Sequence, residues 1–566
     1  MFNGIMRWFG SRKINRTCLV YIPFFIIAFV IPAAMFPLTT QYNTEMSGFL
    51  LERGIHTDYY HLVKVCALYL SVLILLPVSV FFGRKRFRGM FVVLIPVYIC
   101  LFLSTYLSEY KISAVFGVFD HYEGFLTQAC YLLILVCSYA VCRGTDFACK
   151  VIKFVLWTGF AVAVAGVFQY TGIWPFVTDE PYIVSPTIGN PNYVGTYSAM
   201  LLPLSMSMLL HEEKNKSRII CLVIFFGSSF FLLLGSLSRA AFIASAVTIT
   251  LFVILFTDEI RKNRLWVLSA VLYGIALFAA MNIYSGNTLV NELKSMNPLS
   301  TGSEPKLIFE DISISGNTAK LDTDKWQLNI ETTEEGFVFM NERGEEIPFG
   351  FDRENGRIDI GQPYRIQAFV QEKEELKWIM LNIDRRDIEF VYSGESLKVV
   401  GFNGMLTDIG HYESVNLPFG ESFASGRGYI WSRSVPLLKN AIFTGYGPDT
   451  FAYIFPQNDI VGKLNYGAIW AVIGKPHSWY LQTALGTGMV SLICLLIFFA
   501  WYGINVVKEN RKKDSKSRIL SFGILLSVAG YLIAGIFNDS VVSVSPVFWM
   551  LLGLGTGLIG SRPETH

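Results

Sequence analysis

Apolar residues gather into twelve stretches, at 18–36, 62–82, 90–107, 125–142, 151–169, 194–210, 218–237, 239–256, 265–283, 484–506, 519–537 and 543–560. A helix crosses a hydrocarbon core about 30 Å thick with about 20 residues, and it satisfies its own backbone hydrogen bonds on the way. Each stretch is therefore expected to be one transmembrane helix. The seventh and eighth are separated by little more than Gly235-Ser-Leu-Ser238 and are expected to form a tight hairpin. Between about 285 and 480 the pattern changes. Runs such as Trp326-Gln-Leu-Asn-Ile330 and Gly336-Phe-Val-Phe-Met340 alternate with period two, which predicts half-buried strands. Arg343-Gly344 and Asn355-Gly356 mark turns, the latter a strong hairpin signal.

The expectation is an all-α polytopic membrane protein of about twelve transmembrane helices, with an inserted extracytoplasmic β-rich domain. Residues 1–284 would hold helices one to nine, and 285–424 the inserted domain. Residues 425–483 would form an extracytoplasmic loop with an interfacial helix, and 484–566 the last three helices. Arg7, Arg12, Lys13 and Arg16 precede the first apolar run without a convincing cleavage site, so that run is read as a retained helix.

Composition agrees. Charged residues make up 16% of the chain, against roughly 25% in soluble domains. Lys and Arg set the orientation. With a cytoplasmic N-terminus, the cytoplasmic loops and termini hold 24 of them, and the opposite short loops hold Arg53, Lys111 and Arg239. Positive charge stays on the cytoplasmic side, so both termini are expected inside a bacterial cytoplasmic membrane and the 285–480 segment outside. Residues 300–421 carry 24 Asp and Glu against 12 Lys and Arg, an acidity that excludes nucleic acid as a partner of this module.

The nine cysteines show no CxxC spacing and none falls between 285 and 475. The histidines show no HExxH pattern, and no phosphate-loop motif GxxxxGK[ST] is present. Neither a metal nor another cofactor is expected.

Three places could carry chemistry. Arg239, in Leu234-Gly-Ser-Leu-Ser-Arg-Ala-Ala-Phe242, puts a permanent cation at the outer mouth of a hairpin. It either snorkels to lipid phosphates or forms an anion site for a lipid pyrophosphate, whose oxygens match the guanidinium fork. In Thr187-Ile-Gly-Asn-Pro-Asn-Tyr-Val-Gly195, Asn190 and Asn192 are placed to cap the sixth span and aim backbone N–H groups outward. The third place runs from Ser425-Gly-Arg427 through Tyr429 and Trp431 and Phe443-Thr-Gly-Tyr-Gly-Pro448 to Lys475-Pro-His-Ser-Trp-Tyr480. Residues 429–442 read as an amphipathic helix suited to the headgroup zone. His477 sits just before the tenth span, where it could act as a base or as a phosphate ligand.

Taken in this order, the motifs resemble those of the O-antigen ligase and polymerase superfamily. Gly189-Asn-Pro-Asn-Tyr-Val-Gly195, Ser236-Leu-Ser-Arg239, Arg427 with Trp431, Gly445-Tyr-Gly-Pro448 and Pro476-His-Ser-Trp-Tyr480 carry the likeness, with Phe116-Gly117 and Glu123-Gly124 beside them. It covers the membrane portion, most densely 187–242 and 427–492. The resemblance implies a GT-C-like fold and a metal-independent, inverting glycosyltransferase. That enzyme would move a glycan from undecaprenyl pyrophosphate to an acceptor lipid, polymer or protein, for polysaccharide biosynthesis in the cell envelope. Arg239 and Arg427 would hold the pyrophosphate and His477 would be the essential loop histidine. Asn190, Asn192, Trp431 and Tyr480 would line the substrate site, and membrane lipid would surround it. A ligase and a polymerase that extends the lipid-linked glycan both fit. A transporter or flippase is the alternative of another class, and it predicts paired ionisable groups near the bilayer midplane. The inserted β-rich segment departs from the family pattern.

Overall fold

The computed structural model describes residues 16–41, 55–58, 60–83, 89–173, 181–295, 307–352, 357–373, 376–510 and 513–559. The chain is mostly helical, with a β-sheet region inserted before the last helices. Among the described residues, seven helices are long and apolar enough to cross a membrane: His61–Phe82, Thr145–Tyr170, Pro191–His211, Asn215–Ser236, Arg264–Tyr284, Met489–Glu509 and Ser515–Ala534. Five further apolar helices, Leu19–Ala33, Phe91–Leu107, Phe125–Val141, Arg239–Leu255 and Ser545–Leu558, fall on expected spans but are shorter. The expected count of about twelve is thus reduced to seven by length. At the five shorter ones the apolar stretch runs one to four residues past the apolar helix, whereas at 62–82, 151–169, 194–210 and 265–283 the helix spans the whole stretch.

Three expectations change in detail. The tenth stretch is broken, because Trp479–Thr487 ends at Gly488 (φ 103°) before Met489–Asn510 begins. The hairpin at Gly235–Ser238 is splayed. Leu237 takes a left-handed conformation (φ 48°), and both arms pack against Pro191–His211. The stretch at 62–82 also contains a buried cation. Lys64 donates to the Thr187 carbonyl and to Ser543 Oγ (2.9 Å), tying the first turn of its helix to two loops at the same end of the bundle.

Pro191–His211 and Ser545–Leu558 are buried on nearly every side. A helix that is apolar all round suits an interior position. Gly195 permits the closest approach of the first of these. A Cβ there would stand 2.6 Å from the Ser238 Cβ and 2.7 Å from the Ala241 Cβ, so only glycine lets Asn192 reach the 235–238 turn.

The β-sheet region is two antiparallel meanders. The first has four strands within Phe309–Met340. The second has seven strands between Gly350 and Thr407, in chain order across the sheet. Alternation sets the faces. In Gln327–Thr333 every second residue is buried, and Leu328 and Ile330 join Phe339, Ile379, Leu381 and Phe390 in one core. Ile460 and Leu464, from the helix Ile460–Tyr466, complete that core and fasten the sheets to the following segment. Asn355-Gly356 lies outside the described residues, but the strands on either side pair as a hairpin, Asp352 opposite Arg357.

Candidate functional site

Five loops meet at the end of the bundle that carries the β-sheet region. The loop between Ser515–Ala534 and Ser545–Leu558 supplies the junction, through Asn538 and Asp539, both almost fully buried. Asn538 donates to Thr196 Oγ1 (2.9 Å) and to the Asn192 carbonyl (3.3 Å). Asn192 in turn accepts from Ser238 Oγ (3.1 Å), the residue before Arg239. Arg427 donates to the Phe537 carbonyl (2.8 Å), the Ala424 carbonyl (2.9 Å) and, at the limit of a hydrogen bond, Asn538 Oδ1 (3.5 Å). Asp539 contacts His477 Nδ1 at 3.0 Å and accepts from the Ser478 N–H at 3.1 Å.

Arg427, His477 and Asn192 are thereby brought together, and Arg239 stands one residue from the network. Arg239 does not snorkel alone. It forms an ion pair with Glu292 (2.7 Å) and donates to Ser295 Oγ (3.0 Å), both on the helix Thr288–Ser295. Its side chain remains 43% exposed, as does that of His477. Burial pulls the Arg427 guanidinium down from its ordinary value, opposed by Asp539, Tyr466 and Tyr193, and Arg239 adds to the pull.

Other expected site residues take different places. Asn190 caps Pro191–His211 by accepting from the Asn192 N–H (2.8 Å), as the cap reading required. Trp431 donates to the Pro476 carbonyl (2.9 Å) and stacks on Phe537, so it braces the loop that carries His477. Tyr480 is not brought to the site. Its hydroxyl donates to the Leu532 carbonyl (2.9 Å) and its ring packs in the helical core. The helix expected at 429–442 is present over most of that range: it lies within Phe423–Leu437, after non-helical Ala424, Ser425 and Gly426, and runs on as a short 3₁₀ turn, Leu438–Asn440. Tyr429 does not face headgroups. It is 1% exposed, its hydroxyl meets Asp459 Oδ2 (3.1 Å), and it stacks on Tyr466. Internal packing of the loop outweighs the surface preference that the sequence suggests.

A second set of residues lies in or beside the sequence motifs but was given no role there: Lys475, Glu123 and Gly117 within them, and Asp449 directly after Gly445-Tyr-Gly-Pro448. Lys475 is buried, with its ammonium 5.7 Å from the centre of the Tyr193 ring. Burial alone would lower Lys475. Tyr193, Asp539, Asp449 and Glu123 outweigh it and hold the group above the ordinary lysine range. Asp449 accepts from the backbone N–H groups of Val118 (2.8 Å) and Glu123 (3.1 Å) and contacts His121 Nδ1 (3.0 Å). It thus clamps the 117–124 loop. Gly117 (φ 90°) closes that loop, since a Cβ there would fall 2.5 Å from the Glu123 nitrogen. Burial pushes the Glu123 carboxyl up, moderated by Lys475. Asp539 goes the other way. Burial would raise it, but the His477 hydrogen bond and charge, Lys475 and the Ser478 N–H hold it below the ordinary aspartate range.

Left-handed backbone recurs here. Asp120, Tyr122, Leu237, Ala424, Ser425, Asp449 and His477 all have positive φ without being glycine. Such residues cost on the order of 1–3 kcal/mol each and collect at functional sites.

Beside this network, ligand atoms of Asp58, His61 and Asp120 lie within 4.8 Å of one another. The Asp58 carboxylate is already engaged by the N–H groups of Tyr60, His61 and Leu62, at 2.7–2.8 Å, as a helix cap. Its donor capacity for a metal is largely spent. The sequence matches no protein-family model and no curated protein.

Proposed function

We propose that this chain is a membrane glycosyltransferase that moves a glycan from a polyprenyl pyrophosphate to an acceptor at the extracytoplasmic face, with the five shorter apolar helices completing twelve spans. The observation that carries the reading is the Asn538–Asp539 junction. It links Arg427, His477 and the Asn192–Ser238 contact beside Arg239 into one polar site at the end of an apolar bundle. Two cations and a histidine, each reachable from solvent or held between the others, suit a diphosphate leaving group.

In this reading the acceptor hydroxyl oxygen attacks the anomeric carbon as the bond to the pyrophosphate oxygen breaks. Configuration inverts, the leaving electron pair stays on the diphosphate, and the hydroxyl proton passes to His477. Asp539, against Nδ1, leaves Nε2 as the nitrogen that faces the acceptor. Arg427 and Arg239 meet the charge that grows on the departing oxygen. The activated donor is the polyprenyl-pyrophosphate glycan itself, so the reaction asks for no nucleotide sugar.

The test is transfer in vitro from a defined undecaprenyl-pyrophosphate glycan, with and without candidate acceptors, followed by mass analysis. Acceptor-dependent release of undecaprenyl pyrophosphate supports a ligase. A ladder of longer lipid-linked glycans supports a polymerase. Failure to consume the donor under either condition counts against the reading.

Glu292 makes a separate prediction. It competes with the donor for Arg239 through a partly exposed ion pair, worth at most about 1 kcal/mol. Glu292→Gln is expected to lower KM for the donor by about 2- to 5-fold, with kcat and thermal stability unchanged. An unchanged or higher KM would argue that the pair positions Arg239 rather than masking it.

A further inference from the structure

At the end of the bundle away from the polar site, the helices Pro191–His211, Asn215–Ser236, Arg239–Leu255 and Arg264–Tyr284 leave a cavity of 170 Å³ with wholly apolar walls. Leu209, Leu210 and Phe252 are its buried side. Val253 and Val271 also line it and are 45% and 52% exposed, so it opens through the outer surface of the bundle. The cause is a loosely packed helix. Arg264–Tyr284 leans on Asn215–Ser236, with the Tyr273 hydroxyl donating to the Val223 carbonyl (3.4 Å), and has little contact with Arg239–Leu255. Val253 lies 14 residues along its helix from Arg239, about 21 Å at 1.5 Å per residue, so the cavity is remote from the site described above. Its walls present no polar atom, so a sugar, a phosphate or a water would lose hydrogen bonds on entering. An apolar cavity of about 150 Å³ takes up benzene, so this one has room for about six carbons of a hydrocarbon chain.

Charge at the mouth selects the head that goes with such a chain. The segments 211–218 and 257–264 adjoin the cavity through Leu210, Ile260 and Val267. Their four acidic side chains are already matched: Glu212 with Lys153 (2.7 Å), Glu213 with Lys516 (2.8 Å), Asp258 with Arg261 (3.9 Å) and Glu259 with Arg518. Lys214, Lys216, Arg218, Lys262 and Arg264 are left without an acidic partner among the described residues. Arg264 precedes Val267 by three positions in one helix, which puts both on the same face. Arg218 lies over the Trp266 ring (5.9 Å) and commits only Nε, to the Glu212 carbonyl (2.6 Å). We propose that the cavity holds one acyl chain of an anionic phospholipid, with the lipid phosphate on Arg218 and Arg264. Cations without counter-ions beside an apolar slot match a molecule that joins a negative head to a hydrocarbon tail. The site is independent of glycan transfer, since it needs only the apolar bundle and its basic rim.

The full chain, stripped of lipid in detergent, is titrated with phosphatidylglycerol and phosphatidylethanolamine of matched acyl chains and followed by native mass spectrometry. One phosphatidylglycerol is expected to bind at least about fivefold tighter than phosphatidylethanolamine, the factor that one basic residue contributes near an anionic head. Lys262→Gln combined with Arg264→Gln, at two exposed positions, should bring the two lipids close to equal affinity. Ala270→Phe fills the cavity from within and should weaken both about tenfold, the loss of roughly two buried methylenes. Its unfolding temperature should match or exceed the wild type, because filling an apolar void adds contacts. Val271→Trp closes the mouth from a half-exposed position and carries the same expectation if Ala270→Phe folds poorly. Equal binding of the two lipids by the wild type, or phosphatidylglycerol binding untouched in the folded cavity variants, overturns the proposal. So does undecaprenyl phosphate that displaces phosphatidylglycerol from the wild type and loses its own binding in the cavity variants, since the slot would then belong to a polyprenyl tail.

Discussion

Arg427→Ala is expected to lower glycan transfer by on the order of 10²–10³-fold, the usual cost of removing one preorganised stabiliser of a developing anion. Arg427 also has a structural task. Its guanidinium holds the Phe537 and Ala424 carbonyls, and the second closes the left-handed turn at Ala424, Ser425 and Gly426. Leaving those carbonyls unpaired should cost about 1–3 kcal/mol, so the variant should also melt earlier. Arg427→Lys separates the two tasks. A lysine keeps the charge but not the fork, so transfer should recover in part while the melting temperature stays low. Turnover on a defined donor and thermal unfolding in the same detergent are the two measurements. A folded Arg427→Ala chain with wild-type turnover would remove Arg427 from the mechanism.

Asp539→Asn and His477→Ala should each lower kcat by about 10²–10⁴-fold, the range for general acid–base groups and for the carboxylate that orients them. KM for the donor should move far less. Asparagine preserves the shape at 539 but cannot hold the imidazole in the same tautomer. Combining the two substitutions should cost little more than His477→Ala alone, because Asp539 acts through His477. Additive losses would show that Asp539 serves something else.

Asp539 also carries a pH signature. Its folded-state value lies below that of a free aspartate, about 3.9, so its ionised form stabilises the fold. That contribution is fully present above the unfolded value and is lost as pH falls through the folded value. Below about pH 4 the wild-type melting temperature should therefore fall more steeply than that of Asp539→Asn, which has no carboxyl to protonate. Parallel curves would mean that Asp539 contributes no such linkage.

The left-handed residues at the site belong to the same account. Asp449 and His477 present their side chains from backbone that L residues seldom adopt. The contacts they make, Asp449 with Val118, His121 and Glu123 and His477 with Asp539, are what hold that backbone in place. Strain in the loops is offset by hydrogen bonds between loops, which explains why buried polar groups and backbone irregularity coincide at this end of the bundle.

Much of the architecture was legible one segment at a time. Apolar length located all seven long helices and the five shorter ones, and period-two alternation located Gln327–Thr333 and Gly336–Met340. The Asn190 cap was visible because a cap acts within three residues. Turns were read less evenly. Asp384 and Arg385 form a two-residue turn with φ of 51° and 61°, between strands paired Ile383 to Arg386, without the Asn-Gly signature. Arg427 and His477 stood out through the likeness of their motifs. Asn538 and Asp539 did not, although two adjacent polar residues between apolar stretches were a signal that could have been weighed. Tyr429 was expected at the headgroups because an aromatic residue with a hydroxyl suits a membrane interface and a buried hydrogen bond equally well, whereas Tyr480 entered only through the likeness of its motif and its hydroxyl is engaged by the Leu532 carbonyl.

The sequence by itself determined where the apolar helices fall, that the 285–424 segment is rich in strands such as Gln327–Thr333 and Gly336–Met340, and that the helices are apolar enough for a membrane, because these properties depend on residues a few positions apart. Only the tertiary structure decided that Asn538 and Asp539 join Arg427, His477 and Asn192, that Lys475 is buried among carboxylates, and that Arg239 is held by Glu292. The hydrogen bonds among those contacts join residues 53 to 346 positions apart. They exist because helices such as Pro191–His211 are packed on all sides and because left-handed loops turn the connecting residues toward one another. Neither cause is written in any single stretch of chain.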